Sequence, residues 1–174
     1  MDFDKKFYEK EFKDLIGNAD IKKSNEIFKI NHFKNLAKAS LLISKHTKDQ
    51  NREPEQKYWL RWSITISYYS MLYAAKALIL KKGYEASDHY ATQIALGHLC
   101  VPDQIEKEDL EILNQAHKIF EDEYIKYFED ARKEAKIARY HATRIYTERR
   151  AEEIFENARK FTVKIVLILS SENL

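Results

Sequence analysis

The stretch from Pro54 to Gly83 constrains the fold of this chain more than any other. Between Trp62 and Leu80 apolar residues recur at helical spacing on two sides. Ile64, Tyr68, Met71, Leu72, Ala75 and Leu78 form one row, and Trp62, Ile66, Tyr69, Tyr73, Ala77 and Leu80 form the other. A surface helix carries one apolar stripe, so two rows predict a central and mostly buried helix. Between them runs a line of small residues: Ser63, Ser67, Ser70, Ala74 and Ala77. Small side chains at steps of three and four let another backbone come close, and each serine hydroxyl can bond the preceding turn of its own helix. That line is also a possible seat for a second subunit. Pro54 suits the first turn, where its missing N–H is no loss, and Gly83 supplies a left-handed stop.

The rest of the chain reads as helix too. With Gly 3 and Pro 2 in 174 residues, there is little turn material. Residues 2–16 form an amphipathic helix ended by Gly17 and Asn18, which packs on the bundle or docks on a partner. Further helices are predicted over 20–47, over 88–99 with Ser87 or Asp88 as cap, and over 105–138. Thr147 reads as the cap of a last helix over 148–169. No period-2 run stands out. The expectation is an all-α, up-and-down helical bundle, 19–174, with an extra N-terminal amphipathic helix, 1–18.

Composition excludes several classes. The single cysteine, Cys100, allows no internal disulfide and suits a reducing cytoplasm; beside Val101 at a helix end it reads as a buried, inert thiol. The first residues are charged rather than signal-like. The longest apolar run, Phe161 to Leu169, is interrupted by Lys164 and too short to span a bilayer. A cytoplasmic protein without membrane association is expected. The net charge of +2 argues neither for nor against nucleic acid, so the placement of charge matters more.

Along the long helix the charge changes sign. Its first part is acidic, from Glu106 to Asp130, and the segment after it carries Arg132, Lys133, Lys136, Arg139, Arg144, Arg149 and Arg150. A solvated helix face and a phosphate-binding patch both fit that pattern. Enzyme signatures with metals or phosphate loops are absent: the three glycines are isolated, and no histidine pair has ligand spacing. No metal and no cofactor is expected. What remains is a metal-free site built from Arg, His and Tyr, which can in principle cleave RNA. A His would take the 2′-hydroxyl proton while an Arg stabilises charge on the phosphate. Arg139, Tyr140, His141 and Arg144 lie where the long helix is expected to give way to a loop before Thr147.

The run Tyr68-Tyr-Ser-Met-Leu-Tyr-Ala-Ala-Lys-Ala-Leu-Ile-Leu-Lys-Lys-Gly83 resembles the signature helix of HEPN domains (higher eukaryotes and prokaryotes nucleotide-binding). Ser87-Asp-His89 is similar to the family's Ser-x-His helix start. Ala131 to Tyr140 resembles its motif helix, and Tyr146-Thr147 through Ala151, Ala158 and Phe161 its closing helix. The likeness covers about 25–168. It implies a helical bundle, usually a homodimer, found in prokaryotic toxin–antitoxin and defence systems and often paired with a small nucleotidyltransferase. Many members are metal-independent RNases that use an Arg followed a few residues later by a His.

Carried onto this chain, the resemblance leaves Arg132, one helical turn before the expected Arg, and His141, one residue after the expected His, as the candidate catalytic pair. Arg132, Arg139, Tyr140, Arg144 and His89 are then the residues that bind RNA or nucleotide. Aligning on Ala138 and Tyr140 puts Ala135 where the family's Arg stands and Tyr140 where its His stands. Arg132 and His141 are separated by eight residues, and on one continuous helix they would face opposite ways. A binding module for RNA, nucleotide or a nucleotidyltransferase is therefore the first expectation. A toxin-type RNase and a non-catalytic assembly subunit are the alternatives.

Overall fold

A computed structural model describes the backbone of residues 3–50, 56–132 and 140–171, and the side chains of 3–50, 58–122 and 148–171. The elements in order are α1 (Lys5–Gly17), β1 (Ile21–Lys23), α2 (Ile27–Lys48), α3 (Gln56–Lys81), β2 (Tyr84–Ala86), α4 (His89–Cys100), α5 (Lys107–Arg132) and α6 (Tyr140–Ser171). This is the all-α bundle that the periodicity predicts.

Helix α3 is its axis, and its first apolar row is buried: Ile64, Tyr68, Met71, Ala75 and Leu78 have no exposed surface. Each large side chain so buried stabilises the fold by about 1.5–3 kcal/mol. The second row is different. Trp62 is 61% exposed, and Ile66, Tyr69 and Tyr73 are only partly covered. Ala77 and Leu80 of the same row are buried, so α3 is covered on two sides only toward its C-terminal end.

The small-residue line is filled from within the chain, which corrects its reading as a seat for a second subunit. Ser44 of α2 places its hydroxyl 2.6 Å from that of Ser67 and donates to the Ser63 carbonyl at 3.0 Å. Ser70 donates to the Ala37 carbonyl at 2.9 Å and meets the Thr162 hydroxyl of α6 at 2.9 Å. All four serines are fully buried. A buried hydroxyl needs a partner, and here it finds one on the neighbouring helix rather than in its own preceding turn.

Helices α2 and α3 are antiparallel, and so are α5 and α6. The Lys164 ammonium of α6 lies 2.6 Å from the buried Asp109 carboxylate of α5. Arg150 lies 3.5 Å from Asp122. Thirteen residues forward along α5 thus correspond to fourteen back along α6, which is an antiparallel register.

Several termini are as expected. Asp88 caps α4, its carboxylate accepting from the Ala91 N–H at 2.8 Å, and Gly83 follows α3 with φ +82°. Others are not. The helix expected over 20–47 begins only at Ile27, because residues 21–23 pair antiparallel with 84–86. The turn at Gly83 brings β2 back against β1, and Ile21, 1% exposed, plugs the core beneath. Three residues are too few for an alternating pattern to register in sequence. Thr147 is no cap: α6 starts at Tyr140 and Thr147 lies inside it. Pro54 lies outside the described residues.

Helix α1 is capped by Asp4, whose carboxylate accepts from the N–H groups of Lys6 and Phe7. It lies against α4, with Phe12 buried in the common core. Tyr8 sits over Gly97, where a Cβ would come within 2.5 Å of the tyrosine ring.

Candidate functional site

Of the residues the sequence nominates, His89 is the one whose side chain is described. It opens α4 immediately after the cap Asp88, and there it meets side chains from α3 and α5. Tyr68, from the fully buried row of α3, bonds through its hydroxyl to Nδ1 of His89. His117 of α5 stacks on His89, with ring centroids 5.1 Å apart and planes 15° from parallel. Phe120 stacks on Tyr68 at 5.0 Å, and Tyr69 meets Phe120 edge-on at 5.9 Å. His117, Phe120 and Glu121 share one face of α5 because they stand three and four residues apart. The Glu121 carboxylate is 3.5 Å from His117 Nε2.

Burial, first, lowers the pKa of His89, and the charges of His117 and Lys76 lower it further. Desolvation holds Tyr68 well above its ordinary pKa, with smaller contributions from Tyr69 and Glu121. With the protonated phenol as donor, Nδ1 of His89 accepts and the ring proton sits on Nε2. Lys76, half-buried, has its pKa lowered by desolvation, and its ammonium donates to the Ser87 carbonyl at 3.3 Å. The cluster therefore offers a neutral imidazole with one oriented N–H donor beside a second imidazole. Such a group can donate to a phosphate or base oxygen; with its Nε2 protonated it is not set to act there as a base.

The remaining nominated residues are on α5 and α6. Arg132 is the last residue of α5, and Tyr140, His141 and Arg144 stand in the first turns of α6. Their side chains, and Arg139 altogether, lie outside the described residues. No loop precedes Thr147 at Tyr140, His141 and Arg144, contrary to the expectation, since these three are helical. Arg132 and His141 also belong to different, antiparallel helices, so their separation on one continuous helix does not apply. Along α5, Arg132 is about 22 Å from His117. The fold does not bring His89 to Arg132.

The sequence missed His117. Nothing local ties it to Tyr68 or His89, and only the packing of α5 on α3 and α4 makes the trio. Cys100 is buried, and desolvation pushes its thiol up to about 12, consistent with an inert side chain. Among the described residues, no group of three or more His, Cys, Asp or Glu could hold a metal ion. No helix among them is long and apolar enough to cross a membrane.

A helical bundle threaded in this order around one buried axis helix defines the class of all-α helical-bundle domains. Residues 45–168 match the family model of the HEPN domain, and the chain belongs to that family. No curated protein and no solved structure matches it.

Proposed function

We propose that this chain is a HEPN domain that binds RNA or a nucleotide through the basic segment 132–150. The supporting observation is the antiparallel pairing of α5 and α6. Extended in register, it draws the end of α5, Arg132, and the first turns of α6, with Tyr140, His141 and Arg144, to one end of the bundle. Basic residues carried by two helices to one end of the bundle suit a phosphate. The reading includes a cytoplasmic homodimer and a toxin–antitoxin or defence setting in which a nucleotidyltransferase is the partner. Fluorescence anisotropy with labelled RNA across a salt series tests it. Binding should weaken as salt rises and be lost in the Arg139→Ala, Arg144→Ala double variant. No binding at low salt would sink the nucleic-acid reading.

A second reading is a metal-independent RNase with Arg132 and His141 as its pair. It is favoured by one observation, that the two residues stand on two antiparallel helices rather than on opposite sides of one. RNA cleavage in the presence of a chelator, abolished by Arg132→Ala and by His141→Ala, is the expected result. Cleavage unchanged in both variants excludes this pair.

A further inference from the structure

We infer that the outer face of α3 is a stacking surface for the bases of a single-stranded nucleic acid, apart from segment 132–150. Tyr58, Trp62, Tyr69 and Tyr73 recur at helical steps on the side of α3 opposite the fully buried Ile64, Met71 and Leu78. Tyr58 is 44% exposed and Trp62 61%, with Trp59 beside them at 40%. Tyr69 and Tyr73 are half-buried and braced. Tyr69 stands edge-on to Phe120 at 5.9 Å, and Tyr73 stacks on Phe33 of α2 at 6.0 Å. Rings held by other rings lose little freedom when a base covers them. Lys76 ends the row.

The charge around this row identifies its occupant. Helices α2 and α3 together carry nine Lys or Arg and no Asp or Glu. Of the chain's 30 basic residues, 21 are then left elsewhere against all 28 acidic ones. Lys29 and Lys48 are paired with the acids Glu85 and Glu152 of other elements, and the remaining seven leave these two helices with a surplus of positive charge on an otherwise acidic molecule. A second copy of this chain is a poor occupant: a two-fold interface would set the same face against itself, cation against cation, with no acid on either helix. The dimer proposed above uses another surface. Aromatic faces within a cationic field are what a single strand requires, since every base has a π-face and every linkage a negative charge. A duplex hides those faces.

Both tryptophans of the chain, Trp59 and Trp62, are on this surface, so intrinsic fluorescence reports directly on stacking. The full chain is titrated with a 5′-labelled oligouridylate, an RNA duplex of the same length, and heparin, a polyanion without bases. Oligouridylate should quench the tryptophan emission, whereas duplex and heparin should leave it unchanged whether or not they bind. Anisotropy of the label should show affinity about tenfold or more weaker in Trp62→Ala and retained in Trp62→Phe. Trp62 is exposed, so folding is preserved, and circular dichroism checks this. Equal quenching by heparin or duplex, or undiminished affinity in Trp62→Ala, overturns the inference. So does a dimer that Trp62→Ala dissolves while oligouridylate affinity stays intact. If Arg139→Ala with Arg144→Ala abolishes binding and Trp62→Ala does not, segment 132–150 is the binding site and the α3 face is not. If Trp62→Ala abolishes binding and the double arginine variant does not, the α3 face is the site and the segment is not.

Discussion

The hydroxyl of Tyr68, buried at the centre of α3, is hydrogen-bonded to Nδ1 of His89 at the first residue of α4. A helix-axis tyrosine and a helix-start histidine are thereby joined by one bond. With Tyr68 as the donor, it leaves the ring proton of His89 on Nε2.

Replacing Tyr68 by Phe should release that choice. The ring packing with Phe120 is kept, but Nδ1 loses its donor and the two neutral tautomers of His89 approach balance. The loss in stability should be about 1 kcal/mol, a typical net value for one hydrogen bond. Imidazole ¹⁵N spectra would report the change, and an unaltered His89 nitrogen pattern in Tyr68→Phe would falsify the assignment.

Stability should fall as pH drops through the imidazole range. Desolvation, with His117 and Lys76, lowers the folded-state pKa of His89 below its ordinary value near 6.5. The unfolded chain then binds more protons than the folded one just below that pH, so stability rises with pH there. The contribution is fully present above the unfolded value and is lost as pH falls through the folded one. Asp88 and Glu121 act in the opposite sense and reduce the effect, and His98, also lowered by desolvation, adds to it. Melting temperature measured against pH should show a shallower slope in His89→Gln than in the parent. Identical slopes would mean that His89 is not the group responsible.

The seat of α1 depends on the absence of one side chain. In Gly97→Ala the new Cβ would lie 2.5 Å from two carbons of the Tyr8 ring, so the ring and with it α1 must shift. Overpacking of this kind costs about 1–3 kcal/mol. Denaturant unfolding should show that loss, and Tyr8→Ala on the same background should recover part of it. A Gly97→Ala chain as stable as the parent would show that Tyr8 does not occupy this seat.

Some of this was legible without a structure, because it depends on neighbours in sequence. Asp88 caps α4 with its own carboxylate, and Gly83 takes a left-handed conformation that a Cβ would strain; each is a local preference of the residue itself. The row Ile64, Tyr68, Met71, Ala75 and Leu78 is likewise a local period, and it named the bundle's axis and the family. Thr147 misled because a capping residue type also occurs within helices, where the local signal has no way of telling the two apart.

The sequence by itself determined the all-α architecture, its central helix and its family, since helical period, caps and stops are written in adjacent residues. Tertiary structure alone decided which of two equally apolar rows on α3 would be covered. Ile64, Met71 and Leu78 met the core, while Trp62 was left exposed and Tyr69 and Tyr73 half-covered, on two helices that carry no acid. It alone also joined Tyr68, His89 and His117 into one cluster, and matched the serines of α3 to a carbonyl of α2 and a hydroxyl of α6. Exposure and partnership are properties of what packs opposite a residue, and that information is held by segments far away in the chain.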